Sequence, residues 1–222
     1  MIKLEGIAKI YQINEESVFT ALSHISLSIK SGEFIGIVGP SGSGKSTLMH
    51  LIGLLDTPTS GRMLIEGKDI SNLSDDQLSR LRSHFVGFVF QQFNLINKLT
   101  ILENVMLPTL YTTIPLAFDP ETRAIELLRR FGIADKAASY PNKISGGQQQ
   151  RTAMARALMM NPRLILADEP TGNLDTKTGA EILKILVDLH RIDGRTIVIV
   201  THDPTIAKLT KRTIHVRDGT TI

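Results

Sequence analysis

Residues 39–46 read Gly39-Pro40-Ser41-Gly42-Ser43-Gly44-Lys45-Ser46, and Thr47 follows. This is the G-x-x-x-x-G-K-[ST] pattern of a phosphate-binding loop, and it stands between a segment that predicts a strand and one that predicts a helix. Glycines let backbone N–H groups curl around phosphates, and the helix N-terminus adds a positive potential. The pattern assigns Lys45 to the β and γ phosphates and the Ser46 hydroxyl to Mg²⁺. The loop therefore predicts a site for a nucleoside triphosphate and Mg²⁺.

Strands and helices alternate on both sides of this loop. Short runs rich in Ile, Leu and Val predict strands at 2–11, 22–29, 33–38, 163–167, 196–200 and 213–216, and a strand pair about Glu66-Gly67 at 62–70. Helices are predicted at 45–52, 178–192 and 204–209. Capping boxes predict further helix starts at Ser74 with Gln77, Thr100 with Glu103 and Thr178 with Glu181, and Asp119-Pro120 predicts another. The middle third, roughly 100–160, is therefore expected to be mostly helical, and the whole chain to be α/β with a mainly parallel sheet.

Two carboxylates follow the apolar run Leu164 to Ala167. Asp168 is a candidate to hold Mg²⁺, directly or through water, and Glu169 to polarise an attacking water. An acidic turn after a strand is common, so this assignment depends on the phosphate-binding loop upstream.

A second glycine-rich helix start, Ser145-Gly146-Gly147-Gln148, lies between that loop and Asp168. Two adjacent glycines weaken a helix start, which leaves two readings. One is a softened N-cap, and the other is close approach of the backbone to a γ-phosphate. A single chain has no obvious use for two phosphate-binding surfaces.

Composition excludes several classes of function. The net charge is +3, Lys and Arg are scattered and Trp is absent, so a nucleic-acid surface is not indicated. No cysteine is present, which excludes disulfides and thiolate-bound metals. Lys3, Glu5 and Lys9 argue against a signal peptide. The longest uncharged stretch, 104–118, is interrupted by two prolines and is too short to cross a bilayer, so a membrane role would come through a partner.

The order of these motifs resembles the nucleotide-binding subunit of an ABC transporter over essentially the whole chain. Within that superfamily, residues 87–95, Leu99-Thr100, Glu103-Asn104-Val105 and Gly172-Asn173-Leu174-Asp175 resemble the lipoprotein-releasing and macrolide-exporter ATPase branch. The resemblance implies a P-loop NTPase (RecA-like) fold with an N-terminal antiparallel β subdomain and an inserted helical subdomain. It implies one ABC ATPase domain over 1–222, with the insertion at approximately 92–160.

The resemblance also implies roles for single residues. Tyr11 matches the aromatic that stacks on adenine, although a surface tyrosine would fit the same pattern. Gln91 matches the switch residue that touches Mg²⁺ and the attacking water, and His202 the histidine that binds the γ-phosphate. Asp175 matches a loop that crosses to the other subunit, and it could also cap a helix. The implied nucleotide-binding residues are Tyr11, residues 39–47, Ser145, Gly146, Gly147, Gln148 and Asp175. The implied catalytic residues are Glu169, His202, Gln91 and Lys45. The implied metal ligands are Ser46, Gln91 and Asp168.

The implied assembly is a head-to-tail homodimer with two ATP molecules sandwiched between the chains. ATP hydrolysis would drive an integral membrane permease, with a periplasmic or extracytoplasmic adaptor reached through it. The chain would thus be cytoplasmic and peripheral on the inner face of the membrane. Eight apolar side chains between 93 and 111 are expected mostly to form the core of the insertion, with a few exposed to grip the permease: Phe93, Leu95, Ile96, Leu99, Leu102, Leu107, Leu110 and Tyr111.

The sequence departs from the family pattern at two places, and two other classes of protein fit this chain less well. Ile144 replaces the usual Leu before Ser145, and Tyr140-Pro141-Asn142-Lys143 replaces the acidic-glycine sequence of many drug exporters, which argues against a membrane domain of that type. A soluble ABC-type ATPase acting on nucleic acid or ribosomes usually carries long coiled coils or two cassettes, and no heptad run is visible here. The N-K-x-D motif of GTPases is absent, and small-molecule kinases have no need of the helix at Ser145.

Overall fold

The computed structural model describes residues 1–112 and 115–222, which divide into two compact units. Unit 1 comprises Met1–Arg82 and Gly194–Ile222, and unit 2 comprises Ser83–Asp193. Residues 113–114, which fall in the uncharged stretch 104–118 and in the predicted helical insertion, lie outside the described residues.

An antiparallel sheet forms the N-terminal part of unit 1. Its strands are β1 (Ile2–Gln12), β2 (Val18–Ile29), β4 (Ser60–Ile65) and β5 (Lys68–Asp69), in the order β2-β1-β4-β5. Ile2 pairs with Ile29 on one side and with Ile65 on the other, and all three side chains are buried. Alternation of buried and outward residues at the start of β1, over residues 2–4, fits this register, which shifts at irregularities further along the strand. The predicted N-terminal antiparallel β subdomain is confirmed.

The phosphate-binding loop of unit 1 follows a buried parallel strand. This strand, β3 (Phe34–Val38), pairs in parallel with β8 (Thr196–Val200) and β9 (Arg212–Arg217), and β10 (Thr220–Thr221) is antiparallel to β9. All five residues of β8 are buried, as expected for a central parallel strand. The helices of this unit are α1 (Lys45–Ile52), α7 (Pro204–Ala207) and most of α2 (Asp75–Phe85). The boundary between the two units falls inside α2.

Unit 2 joins a parallel strand pair to a group of helices. Strands β6 (Val86–Phe90) and β7 (Leu164–Asp168) pair in parallel, and the helices are α3 (Ile101–Met106), α4 (Pro120–Arg130), α5 (Gly146–Leu158) and α6 (Thr176–Arg191). Helix α5 packs against β6, α3, α4 and α6, so it is the centre of this unit. The middle third is mostly helical, as predicted.

The predicted helix starts are confirmed except for one. Thr100 and Glu103 form a reciprocal capping box, Ser74 and Gln77 do the same, and Asp119 accepts from the N–H of Thr122. The predicted box of Thr178 with Glu181 is wrong. Helix α6 begins two residues earlier, because the Asp175 side chain caps it by accepting from the N–H of Thr178.

The apolar side chains between 93 and 111 lie differently from expectation. None of the eight is buried, and Ile96, Leu110 and Tyr111 are exposed. The core of this segment is formed instead by Ile101, Asn104 and Val105 of α3. The expectation that most of the eight form the subdomain core is therefore wrong, since only one face of the short α3 turns inward.

Candidate functional site: two glycine-rich helix starts

The loop at 39–46 has the backbone that a phosphate cradle needs. Gly44, the N-cap of α1, has φ 102°, and a Cβ there would lie 2.7 Å from the carbonyl oxygen of Ala21. No side chain fits at that point, so the glycine is required by both dihedral and space. Lys45 Nζ donates to the carbonyl oxygen of Pro40 at 2.6 Å, which spans the loop. The Ser43 hydroxyl is buried and has no hydrogen-bond partner among the described residues.

Tyr11 is partly exposed near the end of β1, directly opposite Phe19 of β2. Its hydroxyl donates to Asp56 Oδ2 at 2.7 Å. Burial, followed by the hydrogen bond to Asp56, raises the pKa of the Tyr11 phenol, so this group is neutral and acts as a donor.

His202 follows β8 and is exposed beside the loop. It lines a cavity of about 570 Å³ together with Gly39 and Pro40, the first two residues of the loop. Unit 1 thus brings together three predicted elements, the loop, its Lys45 and the histidine at the carboxyl end of a parallel strand.

Gln91, Asp168 and Glu169 meet at one edge of the strand pair in unit 2. Phe90 pairs with Asp168 in the parallel register, so Gln91 and Glu169 each follow directly at the carboxyl ends of neighbouring strands. Glu169 has φ 42°, a left-handed conformation that is uncommon for a residue with a side chain. Such strain is found at functional sites, where the surrounding structure holds it.

The Gln91 side chain is held by the loop that follows Glu169. Gln91 Nε2 donates to Asn173 Oδ1 at 3.2 Å, and Asn173 Nδ2 donates to the carbonyl oxygen of Gln91 at 3.0 Å. A Cβ on Gly172 would lie 2.7 Å from Gln91 Nε2. The loop 170–175 and the end of β6 are therefore tied together in one reciprocal pair.

The glycine-rich start of α5 carries a complete capping box. The N–H of Gln148 donates to the Ser145 hydroxyl, and Gln148 Oε1 accepts from the N–H of Ser145 at 3.0 Å. This box offsets the helix weakness that the two glycines cause. A Cβ on Gly147 would overlap the methyl group of Thr178, so close packing against α6 requires this glycine. Helix capping and packing thus account for part of a pattern that phosphate binding also fits.

Two polar residues that sequence reasoning missed extend from α5 to the predicted catalytic segments. Gln150 is fully buried and its Nε2 donates to the carbonyl oxygen of Pro170, next to Glu169, at 2.6 Å. Arg156 donates to the carbonyl oxygens of Phe93 and Asn94, two left-handed residues just after Gln91. Burial lowers the pKa of the Arg156 guanidinium. For the contact of Gln150 with Pro170, the only signal in the sequence is a Gln among the inward-facing Ala and Met side chains of α5.

Asp175 has the capping role that the sequence left open. Hydrogen bonds from the side chain and N–H of Thr178 lower the pKa of its carboxyl, so the group is ionised at the N-terminus of α6. The carboxylate is exposed.

Comparison with known proteins agrees with this geometry. The family model described as ABC transporter matches residues 22–172. The macrolide export ATP-binding/permease protein MacB of Chlorobaculum tepidum is 48% identical over 222 residues, which cover 100% of this chain and 34% of that protein. An uncharacterized ABC transporter ATP-binding protein of Methanocaldococcus jannaschii, MJ0796, is 49% identical over 222 residues, covering 99% of this chain and 94% of that one. The chain therefore spans about a third of the MacB protein and nearly all of MJ0796.

The fold matches solved structures over its full length. A dimeric structure of a post-hydrolysis state of the ATP-binding cassette MJ0796 bound to ADP and Pi has a TM-score of 0.90 and 46% sequence identity, covering 100% of this chain and 96% of that one. A second dimeric structure of MJ0796, described as a bacterial ABC transporter cassette, also has a TM-score of 0.90, with 47% identity. The predicted P-loop NTPase fold and the predicted resemblance are both confirmed. This chain belongs to the ABC transporter family, as one of its ATP-binding cassettes.

Proposed function

We propose that this chain is the ATP-hydrolysing subunit of a transporter, that it dimerises on ATP, and that it drives a membrane permease of the lipoprotein-release or macrolide-export type. One observation carries the proposal: the chain builds two glycine-rich helix starts, the loop before α1 in unit 1 and the start of α5 in unit 2. Each presents backbone N–H groups at a helix N-terminus, which favours phosphate binding. The post-hydrolysis MJ0796 dimer with ADP and Pi is the chemical precedent in a relative.

In unit 1 the proposed roles follow the loop. Residues 39–47 bind the phosphates, with Lys45 released from the Pro40 carbonyl to reach the β and γ phosphates. The orphaned Ser43 hydroxyl lies inside this cradle, where a phosphate oxygen is a partner of suitable chemistry. Tyr11 stacks on the adenine, and His202 hydrogen-bonds the γ-phosphate from the cavity it shares with Gly39.

In unit 2 the proposed roles concern water and Mg²⁺. Glu169 positions the attacking water as a general base, and Gln91 contacts that water and Mg²⁺. Ser145, Gly146, Gly147 and Gln148 bind the γ-phosphate of the ATP held by the other chain, and Asp175 approaches that chain in the loop after Glu169.

Mg²⁺ is the proposed metal, held by Ser46, Gln91 and Asp168. Within residues 1–112 and 115–222 no group of three or more His, Cys, Asp or Glu side chains is placed to hold a metal ion. Mg²⁺ prefers oxygen donors and keeps substrate phosphates and waters in its shell, and this set supplies a hydroxyl, an amide oxygen and a carboxylate, so it fits. When bound, it neutralises charge on the β and γ phosphates.

The head-to-tail arrangement is tested by complementation between two inactive variants. Lys45→Ala should abolish ATP binding, whereas Ser145→Arg should leave ATP binding to the monomer intact and abolish turnover. A mixed dimer then contains one complete site, formed by the loop of one chain and the α5 start of the other. Mixing should restore ATP hydrolysis well above either variant alone. If the mixture stays inactive while both variants fold and form mixed dimers, the shared-site arrangement is wrong.

Dimerisation by ATP is tested with Glu169→Gln. This change should slow turnover by roughly 10²- to 10⁴-fold, the scale of a positioned acid–base group, and should trap a dimer in saturating ATP. The double variant with Lys45→Ala should remain monomeric and serves as the control. A Glu169→Gln chain that stays monomeric with ATP and Mg²⁺ would count against the mechanism.

The permease is proposed to contact the exposed end of the short helical turn Leu107–Tyr111, which follows α3. Leu110 and Tyr111 are 72% and 77% exposed, which is unusual for large apolar side chains side by side. Changing both to Glu should abolish co-purification with the permease and spare ATP binding. Ile192→Glu, at a site 76% exposed after α6 in the same unit, is the matched control and should retain co-purification. Loss of ATP binding in the double variant, or equal loss of the permease in the control, would contradict this surface.

The proposed location is the inner face of the cell membrane, reached through the permease, with an extracytoplasmic adaptor beyond it. None of the helices in the described parts of the chain has the length and apolar character needed to span a bilayer. We further propose that the two units act as one ATPase domain over 1–222 with a helical insertion at approximately 92–160.

A further inference from the structure

The tyrosine proposed to stack on adenine is held by its hydroxyl. Asp56 accepts from Tyr11 Oη through Oδ2 at 2.7 Å and from Lys9 Nζ through Oδ1 at 2.6 Å. Lys9 Nζ also donates to the carbonyl oxygen of Thr57 at 2.8 Å. The Tyr11 ring is thus fixed at its hydroxyl end to the segment that follows α1.

The segment that supplies Asp56 is itself attached to β1. It follows α1 after a left-handed turn at Leu54. The N–H of Thr59 donates to the carbonyl oxygen of Ala8 at 2.9 Å, and its hydroxyl accepts from the N–H of Ile10 at 3.0 Å. Two residues shortly before Tyr11, Ala8 and Ile10, are therefore bonded to the chain that leaves the phosphate-binding helix.

Lys9 also limits which side of the ring is open. Its ammonium lies 4.9 Å from the Tyr11 ring centroid, a cation–π distance, so one face of the ring is covered. A base would stack on the opposite face. The side chains of Lys9 and Asp56 are only 12% and 25% exposed, so the ion pair between them is partly desolvated and more constrained than a surface pair.

We infer that Asp56 is a positioning residue for nucleobase recognition: with Lys9 it sets the plane of the Tyr11 ring and its distance from the phosphate-binding loop. This inference depends on the proposed stacking role of Tyr11. The carboxylate touches no nucleotide atom in this scheme and acts only through the tyrosine. A ring that is fixed before binding loses less side-chain freedom when the base stacks on it. Removing the Asp56 carboxylate should therefore weaken the part of the affinity that depends on the base.

The test compares ATP with inorganic tripolyphosphate, both with Mg²⁺, because tripolyphosphate has the phosphates and no base. Asp56→Ala should weaken ATP binding by roughly 3- to 10-fold, the cost of ordering one side chain, and change the Kd of tripolyphosphate by less than about 2-fold. Tyr11→Phe keeps the ring and removes the hydroxyl, so it should show a similar loss. Combined with Asp56→Ala it should add little, since the two changes remove one interaction. Asp76→Ala, at an exposed acid of α2, is the control and should bind both ligands normally.

The outcomes separate this inference from the function it depends on. If Tyr11→Ala leaves the ratio of the two affinities unchanged, the stacking role itself is wrong. If Tyr11→Ala lowers ATP affinity selectively while Asp56→Ala and Tyr11→Phe do not, positioning by Asp56 is wrong. Equal weakening of both ligands by Asp56→Ala and by the milder Asp56→Asn would show a merely structural role and would also overturn it.

Discussion

Replacing Asn104 should destabilise the segment that follows the switch glutamine. Asn104 is fully buried on α3. Its Oδ1 accepts from the N–H of Ile96 at 2.7 Å, and its Nδ2 donates to the carbonyl oxygens of Ile96, Leu99 and Thr100 at 3.1, 3.1 and 2.9 Å. One side chain therefore holds the turn at 96–100, which lies shortly after Gln91.

The magnitude follows from these four hydrogen bonds. Each contributes about 1 kcal/mol net, and water can replace part of the loss because Ile96 is exposed and Leu99 and Thr100 are half-buried. Asn104→Ala should thus lower the free energy of unfolding by about 2–4 kcal/mol. Asn104→Asp should lower it further, since it places a carboxylate oxygen against three carbonyl oxygens.

Urea unfolding measures the change in the free energy of global unfolding. Hydrogen exchange at the Ile96 amide measures the local opening of the turn at 96–100. Asn97→Ala, at an exposed position in the same turn, is the control and should change stability by less than about 0.5 kcal/mol. A cost below about 1 kcal/mol for Asn104→Ala, together with unchanged exchange at Ile96, would refute the reasoning.

Three further predictions concern contacts made by the helices and by Asp56. Arg156→Lys should slow turnover by up to about 10²-fold with little change in the KM for ATP, because one ammonium cannot hold the carbonyls of both Phe93 and Asn94; unchanged steady-state kinetics would contradict it. Burial would raise the pKa of the Asp56 carboxyl, but hydrogen bonds from Lys9, Tyr11 and the N–H of Thr57 together lower it below its usual 3.8. Because the folded-state pKa of Asp56 is depressed, the stabilisation that its carboxylate provides is present above pH 3.8 and is lost as the pH falls below that value. The difference in urea midpoint between wild type and Asp56→Asn should therefore be constant near neutrality and shrink in acid. A difference independent of pH would be inconsistent with this. Gly147→Ala should reduce turnover through overlap with the Thr178 methyl group, and Thr178→Ser in the same chain should restore it by removing that methyl; failure of the rescue, measured as ATP hydrolysis, would show that packing is not the cause.

Local signals made the phosphate-binding loop and most helix starts predictable. Residues 39–46 carry their chemistry in one contiguous stretch, and the boxes at Ser74 and Thr100 involve partners only three positions apart. The start of α6 was misplaced because Asp175 and Thr178 are both good caps within one turn, and the sequence does not show which one wins. Strand β6 is not among the predicted strands, because α2 runs into it without a turn residue.

Contacts between distant residues were not predictable. The hydrogen bonds of Gln150 to Pro170, Asn173 to Gln91 and Tyr11 to Asp56 join positions 20, 82 and 45 residues apart. They depend on how the elements pack, which no spacing rule encodes. The same limit applies to the eight apolar side chains between 93 and 111, because the sequence does not show which of them are exposed, as Leu110 and Tyr111 are.

The packing of Gly147 against Thr178 changes how variants of this motif should be interpreted. A substitution at this glycine would test the proposed phosphate contact only if it left the packing unchanged. Here an added Cβ would also overlap the methyl group of Thr178, on the helix that Asp175 caps. The suitable reference is therefore a chain that already carries Thr178→Ser, because in that background an added methyl at 147 has room and any remaining defect reports on the nucleotide.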